Sequence, residues 1–320
     1  MIDRIVYLGP YNNSKAHKLF NKAINYLMED KGNNFYYILP NGNLLEKYRQ
    51  KMIEQIEGTF NINLFTFDDI VDRLLENNFY TYIDGEMKEA LISKILKELN
   101  SKSRLKYYKS ISTKKGFVKS LVGIIGEIKR SLITAEEYLR KCPKEPFYFE
   151  IGLIYKEYED QLNEYGLIDR EESFFKSLSL LKEDNSFFDG LDFIIIDGFF
   201  DFRAQELELL KEITKTKCPI YINMPFNRSK NFNTLLETIE FLKELGFKIE
   251  NEENDEKVEL NYYERMASIL FNESENNMDP NPYIHVVKAA NSYLEMKKIS
   301  ERIKMHNLEV DRLTRHKNLI

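Results

Sequence analysis

Short apolar runs alternate with amphipathic stretches along the first part of the chain. Residues 4–8, RIVYL, meet Gly9-Pro10 and a polar turn. Behind the turn Ala16, Leu19, Phe20, Ala23, Ile24 and Leu27 recur at helical spacing, and Gly32 offers a stop. FYYILP (35–40) predicts a second strand ended by Pro40, followed by a helix through about Glu57. INLFTF (62–67) predicts a third strand, with Asp68 at the N-cap of the next helix. This β-α-β-α-β alternation implies a parallel sheet covered by helices.

From about Glu86 to Leu181 the strand signals disappear and long amphipathic helices take over. In one of them Phe117, Leu121, Ile124, Ile125, Ile128 and Leu132 form a single stripe, with Lys129 and Arg130 beside it. An exposed lysine or arginine there either solubilises the helix or contacts phosphate. Pro143 and Pro146 punctuate the block. The sheet pattern returns with FIIID (193–197), a helix over about Ala204 to Lys215, PIYINMP (219–225), a helix over about Thr234 to Leu245, and FKIE (247–250). Residues 251–282 are acidic and Asn-rich and read as a linker. YIHVVKAAN (283–291) predicts a strand and LEMKKISERI (294–303) a helix. DRLTRHKNLI stops where a further strand is expected, so the pattern predicts part of a longer chain. The resulting division is a discontinuous core (1–85 and 182–280), a helical insertion (86–181) and an incomplete second α/β domain (281–320). No internal repeat is present.

Composition narrows the setting. The chain has 320 residues, 43% hydrophobic and 31% charged, the balance of a globular protein. No apolar run approaches the ~20 residues of a membrane span, and the N-terminal stretch MIDRIVYLGPYNN lacks the form of a secretory signal. Cys142 and Cys218 alone exclude a disulfide framework or a cysteine-rich metal site. A cytoplasmic protein without a membrane partner is expected. The net charge of −6 excludes a bulk basic protein, so any nucleic-acid contact must use a local surface. His17, His285, His306 and His316 show no spacing with carboxylates that suggests a metal site or a proton relay.

Two segments carry candidate chemistry. A phosphate loop reads G-x-x-x-x-G-K-[ST] between strand and helix, with backbone N–H groups and a lysine on phosphate and a hydroxyl on Mg²⁺. Here GPYNNSKA (9–16) keeps Gly9 and Lys15 at that spacing, with Asn13 between them. Ser14 replaces the second glycine and Ala16 the hydroxyl residue. The loop is either a strand-to-helix turn with a solvated lysine or a residual contact for phosphate. The second segment is FIIIDGFFDF (193–202). Asp197 ends its strand at the sheet edge where α/β proteins bind ligands. In nucleotide hydrolases of this plan such an acid serves Mg²⁺ and a following glutamate activates water; here Gly198 follows. Asp197 is then a degenerate acidic motif or a structural carboxylate that caps its turn. With Ala16 and Gly198 together, ATP hydrolysis is expected to be absent or negligible. Phe199, Phe200 and Phe202 either belong to the core or present one or two rings to bases.

In that order along the chain, LGPYNNSK, YYILPNGN, NLFTFDDIVDRLL, KGFVKSLVGIIGEIKRSL, IIIDGFFDFRAQELELLKEI and VVKAANSYLEMKKISERI resemble the N-terminal part of the AddB family, the second subunit of bacterial AddAB helicase–nucleases. The likeness runs to about Ile303. It implies an α/β fold, P-loop NTPase-like and of the superfamily-1 helicase kind, whose parallel sheet has a helical insertion and the start of a second α/β domain. It also implies lost motor function, binding and scanning of single-stranded or tailed DNA in double-strand-break repair, and a motor subunit, AddA, as partner. The family's nuclease domain and its iron–sulfur cluster would lie outside this chain, so no cofactor, catalytic residue or metal ligand is expected here. Matching the family's strand channel gives Asn41, Asn43, Phe65, Thr66, Phe67, Asp69, Phe200 and Phe202 as candidate contacts to single-stranded DNA. Two other readings stay open: an active P-loop ATPase, and a module that only docks the motor subunit.

Overall fold

The computed structural model describes residues 2–9, 14–56, 62–78, 80–226, 234–251 and 286–317. Six strands, β1 (Arg4–Gly9), β2 (Phe35–Ile38), β3 (Leu64–Phe65), β6 (Phe193–Asp197), β7 (Ile220–Pro225) and β8 (Lys248–Asn251), form one sheet in the order β3-β2-β6-β7-β1-β8. Every pairing in it is parallel. A parallel sheet is covered on both faces, so its strands read as unbroken apolar runs rather than alternations. β6 is buried at all five positions.

Strand periodicity assigns the two faces. Phe35, Tyr37, Phe193 and Ile195 pack with α1 (Ser14–Met28) and α2 (Gly42–Ile56) through Leu19, Ala23 and Met52. Tyr36, Ile38, Ile194 and Ile196 face α3 (Phe67–Leu74), α8 (Arg170–Glu183), α9 (Ala204–Ile213) and α10 (Thr234–Glu244). Asp197 has the parity of Phe193 and Ile195, so its carboxylate points toward α2 rather than toward α9.

Between β3 and β6 the chain builds a second core. Helices α4 (Gly85–Ser101), α5 (Lys115–Arg130), α6 (Ala135–Lys141) and α7 (Pro146–Glu164) enclose Leu96, Leu121, Ile125, Ile154 and Tyr155. A ladder of two residues per strand, β4 (Thr81–Tyr82) with β5 (Leu167–Ile168), sits at the base of this block. Two-residue strands are too short to leave a periodic signal, and none was expected here. The α8 helix follows the ladder, yet Phe174, Leu178 and Leu181 belong to the core of the sheet.

Several helix boundaries differ from expectation. The α1 helix stops before Gly32: Asp30 takes φ +58°, Lys31 N–H reaches Tyr26 O at 2.8 Å and Asp30 N–H reaches Leu27 O at 3.1 Å. This pair of bonds closes a helix end around a left-handed residue. Leu132, placed in the α5 stripe by spacing, lies beyond the helix at φ +57° and closes it in the same way. At the start of α3 the N-cap is Thr66, not Asp68; its hydroxyl accepts Asp69 N–H at 3.1 Å while Asp69 accepts Thr66 N–H at 2.7 Å. That reciprocal box satisfies two backbone donors, which Asp68 one position later does not do.

Residues 1–258 and 259–320 form separate compact units. In the second, Asn291 Oδ1 caps α11 (Ser292–Lys317) by accepting Leu294 N–H at 2.9 Å. The strand expected over 283–291 is absent from its described part: residues 286–289 pair with no strand, and Val286 is 97% exposed. A strand needs a neighbouring edge to satisfy its backbone. Residues 283–285 and the linker 252–282 lie outside the described residues. Among the described residues no helix is long and apolar enough to cross a membrane.

Candidate functional site

The loops after β2 and β6 meet at the C-terminal edge of the sheet, because these strands are neighbours in parallel register. Gly198 has φ +79°, and a Cβ there would stand 2.9 Å from Leu44 Cδ2 on α2. A left-handed backbone and this close approach both call for glycine. A glutamate in the position of a water-activating base would be strained by the left-handed backbone and would have to displace the Leu44 side chain.

Asp197 is 2% exposed and fully engaged. The Tyr37 and Tyr48 hydroxyls donate to its Oδ2 at 2.5 and 3.0 Å, and Asn223 Nδ2 donates to Oδ1 at 2.7 Å. Three elements thus converge on one carboxylate: β2 supplies Tyr37, α2 supplies Tyr48, and β7 supplies Asn223 opposite Asp197 in register. Burial, with the adjacent Asp197 charge, pushes the Tyr37 hydroxyl far above its ordinary pKa, so it stays a donor. Such an arrangement satisfies the buried carboxyl oxygens from within the protein. Sequence reading found Asp197 and missed its partners. Asn223, polar inside IYINMP, was the available signal, since a buried amide in a central strand needs a partner.

The phosphate-loop residues have other engagements. Gly9 O accepts Phe226 N–H at 2.8 Å, which keeps β1 and β7 joined past their ladder. Lys15 Nζ lies 3.9 Å from Glu250 on β8 and 5.3 Å from the Tyr7 ring centre on β1. Ser14 opens α1, and Asn13 lies outside the described residues.

The structure divides the candidate strand contacts. Asn41 and Asn43 are exposed at the edge, and Asn41 Oδ1 accepts Leu44 N–H at 3.0 Å as the cap of α2. Phe200, on the loop that follows β6, is 56% exposed. Thr66 and Asp69 are half-buried and occupied in their capping box. Phe65, Phe67 and Phe202 are corrected to core positions, at 8%, 1% and 7% exposure. Phe202 stacks on Phe199 with centroids 4.8 Å apart, and Phe67 packs edge-on against Phe199 at 5.4 Å. A ring enclosed by other rings has no face left for a base.

Lys129 also departs from expectation. It is 0% exposed and bonds Glu159 at 2.6 Å, Asp169 at 3.1 Å and Glu172 at 3.1 Å. Burial opposes its charge, but Asp169, Glu159 and Glu172 outweigh burial and hold the ammonium above its usual range. Tyr158 O–H adds a bond to Asp169 at 2.9 Å, and Gln205 Nε2 donates to Glu171 O at 3.1 Å. Arg130 pairs with Glu171 at 2.9 Å. These side chains join α5 and α7 to α8 and α9; Lys129 is enclosed by its partners, while Arg130 pairs with Glu171 and stays partly exposed.

Residues 6–275 match the family described as ADDB, N-terminal. The chain belongs to this family. Among AddB relatives it is 26% identical over 292 residues to the B subunit of the ATP-dependent helicase/deoxyribonuclease of Caldanaerobacter subterraneus subsp. tengcongensis, a match covering 81% of this chain and 24% of the relative. The protein of the same name from Carboxydothermus hydrogenoformans is 24% identical over 318 residues, 92% of this chain and 28% of the relative. That of Clostridium tetani is 34% identical over 143 residues, 42% of this chain and 12% of the relative. The matches therefore span 12% to 28% of the length of these relatives.

Proposed function

We propose that this chain is a helicase-like, non-hydrolysing part of the second subunit of an ATP-dependent helicase/nuclease, acting in recombinational repair by holding and scanning unwound single-stranded DNA. The motor subunit, AddA in this family, would supply ATP-driven movement in the cytoplasm. Neither a metal nor a cofactor is required of the residues in this chain. The names of the relatives support the complex and its DNA substrate. The observation that carries the non-hydrolysing role is the state of Asp197, whose two oxygens accept from Tyr37, Tyr48 and Asn223 inside the protein. Ala16 offers no hydroxyl for Mg²⁺, and Gly198 has no side chain to orient water.

Exposed Phe200 supports the strand-holding role at the edge, while Lys15 leans back on Glu250 and Tyr7. Purified chain should show no single-strand-stimulated ATP turnover with Mg²⁺. Phe200→Ala should weaken single-strand binding by about 1–3 kcal/mol, the range of one lost base stack, and Lys15→Ala by less. Fluorescence titration at two salt concentrations measures both. ATP turnover by this chain alone would refute the non-hydrolysing reading, and the opposite order of the two variants would replace stacking by phosphate contact.

A further inference from the structure

One surface of the helical block is built unlike the rest of this acidic protein. From Lys102 to Lys119 the sequence carries seven basic residues and no acidic one, in a chain of net charge −6. Lys102, Lys106, Lys109, Lys114 and Lys115 are exposed and form no ion pair among the described residues. Elsewhere many cations are bound to acids, as Lys88, Lys129, Arg170 and Arg203 are. Large rings are exposed on the same loop and at the start of α7: Tyr107 is 58% exposed, Phe149 52% and Tyr148 36%. Tyr107 lies 5.6 Å from Phe147, and Phe147 lies 4.0 Å from Tyr148, so the loop and the start of α7 present one aromatic group.

A buried carboxylate holds this group in place. Glu150, 4% exposed, accepts the backbone N–H groups of Lys106, Tyr107 and Tyr108 at 2.7, 2.8 and 3.0 Å. Leu105 is buried beside them at 1% exposure, and Tyr108 packs on Phe117 at 4.8 Å. The backbone at 105–108 is thereby fixed from beneath, and the side chains of Lys106 and Tyr107 are left outward. Glu150 is engaged by three amides and forms no ion pair with these lysines among the described residues. Isolated exposed rings and lone lysines are ordinary on protein surfaces. Fixed rings interleaved with unpaired cations fit a more particular ligand, a polyanion that also offers flat apolar faces. Unpaired nucleic acid has both, whereas in a duplex the base faces are already stacked.

We propose that Tyr107, Tyr148 and Phe149, with Lys106 and Lys109, form a second contact surface for single-stranded DNA on the helical block, distinct in its residues from the sheet edge. Holding the rings in advance lowers the ordering cost of binding. The test uses the 320-residue chain and anisotropy of a labelled oligothymidylate, with heparin as a polyanion that has no bases. The double variant Tyr107→Ala, Phe149→Ala should bind oligothymidylate at least about tenfold more weakly, within the span of one to two lost stacks, and bind heparin as before. The double variant Lys106→Glu, Lys109→Glu should lower the slope of log K against log salt by about 1.4, at ~0.7 per lost phosphate contact. All four positions are exposed, so circular dichroism and urea midpoints should stay unchanged. Unaltered oligothymidylate binding by both variants would overturn the proposal. So would loss of heparin and oligothymidylate binding in the lysine variant alone, which would leave an unspecific cationic patch. If the parent chain does not bind oligothymidylate even at low salt, the proposal also falls, and an acidic protein becomes the fitting occupant. Including Phe200→Ala separates the two surfaces: the patch stands if its variants lose binding while Phe200→Ala does not, and in that case the sheet-edge reading fails.

Discussion

Asp197 and Lys129 are both buried polar side chains, and each is engaged differently. Asp197 accepts hydrogen bonds from three neutral donors, while the Lys129 ammonium is held by three carboxylates. Removing one partner from a buried ionic group leaves the others uncompensated, at a cost of about 3–5 kcal/mol. Lys129→Met, similar in length and without charge, should lose about that much stability in urea unfolding at pH 7. The loss should shrink toward pH 4. In the parent chain burial favours neutral Asp169, but Lys129, Lys88, Glu172 N–H and Tyr158 O–H prevail, so its pKa lies below the usual value. A depressed carboxylate contributes stability that is present above its unfolded pKa and lost as pH falls through the folded one. Without Lys129, burial dominates and the Asp169 pKa rises, so acid then relieves the variant. Glu159, already raised by burial, moves the same way. A gap between parent and variant that widens on acidification would contradict this account. At this scale the sequence disclosed the identity of Asp197 but not its surroundings. Tyr37 and Tyr48 reach it only because β2 lies beside β6 and α2 lies over both, and no local spacing encodes that meeting. Lys129 read as a surface cation because its helix position borders the apolar stripe, while its three partners come from elements 30 to 43 residues away in sequence.

Elements were most legible where their apolar runs were long. FIIID, five buried residues of a central parallel strand, admits little else than β6. Helix ends were less legible, since three of them turn through left-handed residues that are not glycine: Asp30, Ser103 and Leu132 at φ +58°, +54° and +57°. A reader of the sequence looks for glycine there and finds Gly32 too late. The mismatch carries a measurable consequence at Asp30, which is exposed and whose side chain has no bond in the helix closure. Glycine accepts φ > 0 without the Cβ penalty. Asp30→Gly should raise stability by about 0.5–1 kcal/mol, because the relief at a left-handed position exceeds the entropy that glycine adds to the unfolded chain. Urea unfolding of parent and variant measures it; a destabilised variant would mean that the aspartate itself supports the α1 terminus. Leu132 is a poorer site for the same change, as its side chain packs against the core of the sheet.

The whole molecule places a helical block within a sheet fold, and the point of attachment follows from burial rather than from the change in periodicity. The sequence pattern put the boundary near Leu181, where strands resume. Phe174, Leu178 and Leu181 nevertheless lie in one cluster with Ile194, Ile196 and Ile220, so α8 is a covering helix of the sheet. The block proper hangs from the β4–β5 ladder, where Tyr82 pairs with Ile168. The ladder is parallel, so residues 83 and 166 lie at its opposite ends, and with strands ~4.8 Å apart and a rise of ~3.3 Å per residue the gap between them is on the order of 10 Å. Replacing residues 84–165 by a Gly/Ser linker of about six residues, which spans such a gap easily, should therefore give a folded chain with one cooperative urea transition. The acids that face Lys88, Lys129 and Arg130 become solvated in that variant, so no buried charge is stranded. Extending the excision to residue 181 should abolish the transition. It removes Phe174, Leu178 and Leu181, buried at about 1.5–3 kcal/mol each, from a fold whose net stability is of order 5–15 kcal/mol. Cooperative folding of the longer excision would show that α9 and α10 close that face without α8. Failure of the shorter one would show that the sheet needs the helical block through the Lys129 cluster, and the block would then be a structural support of the sheet.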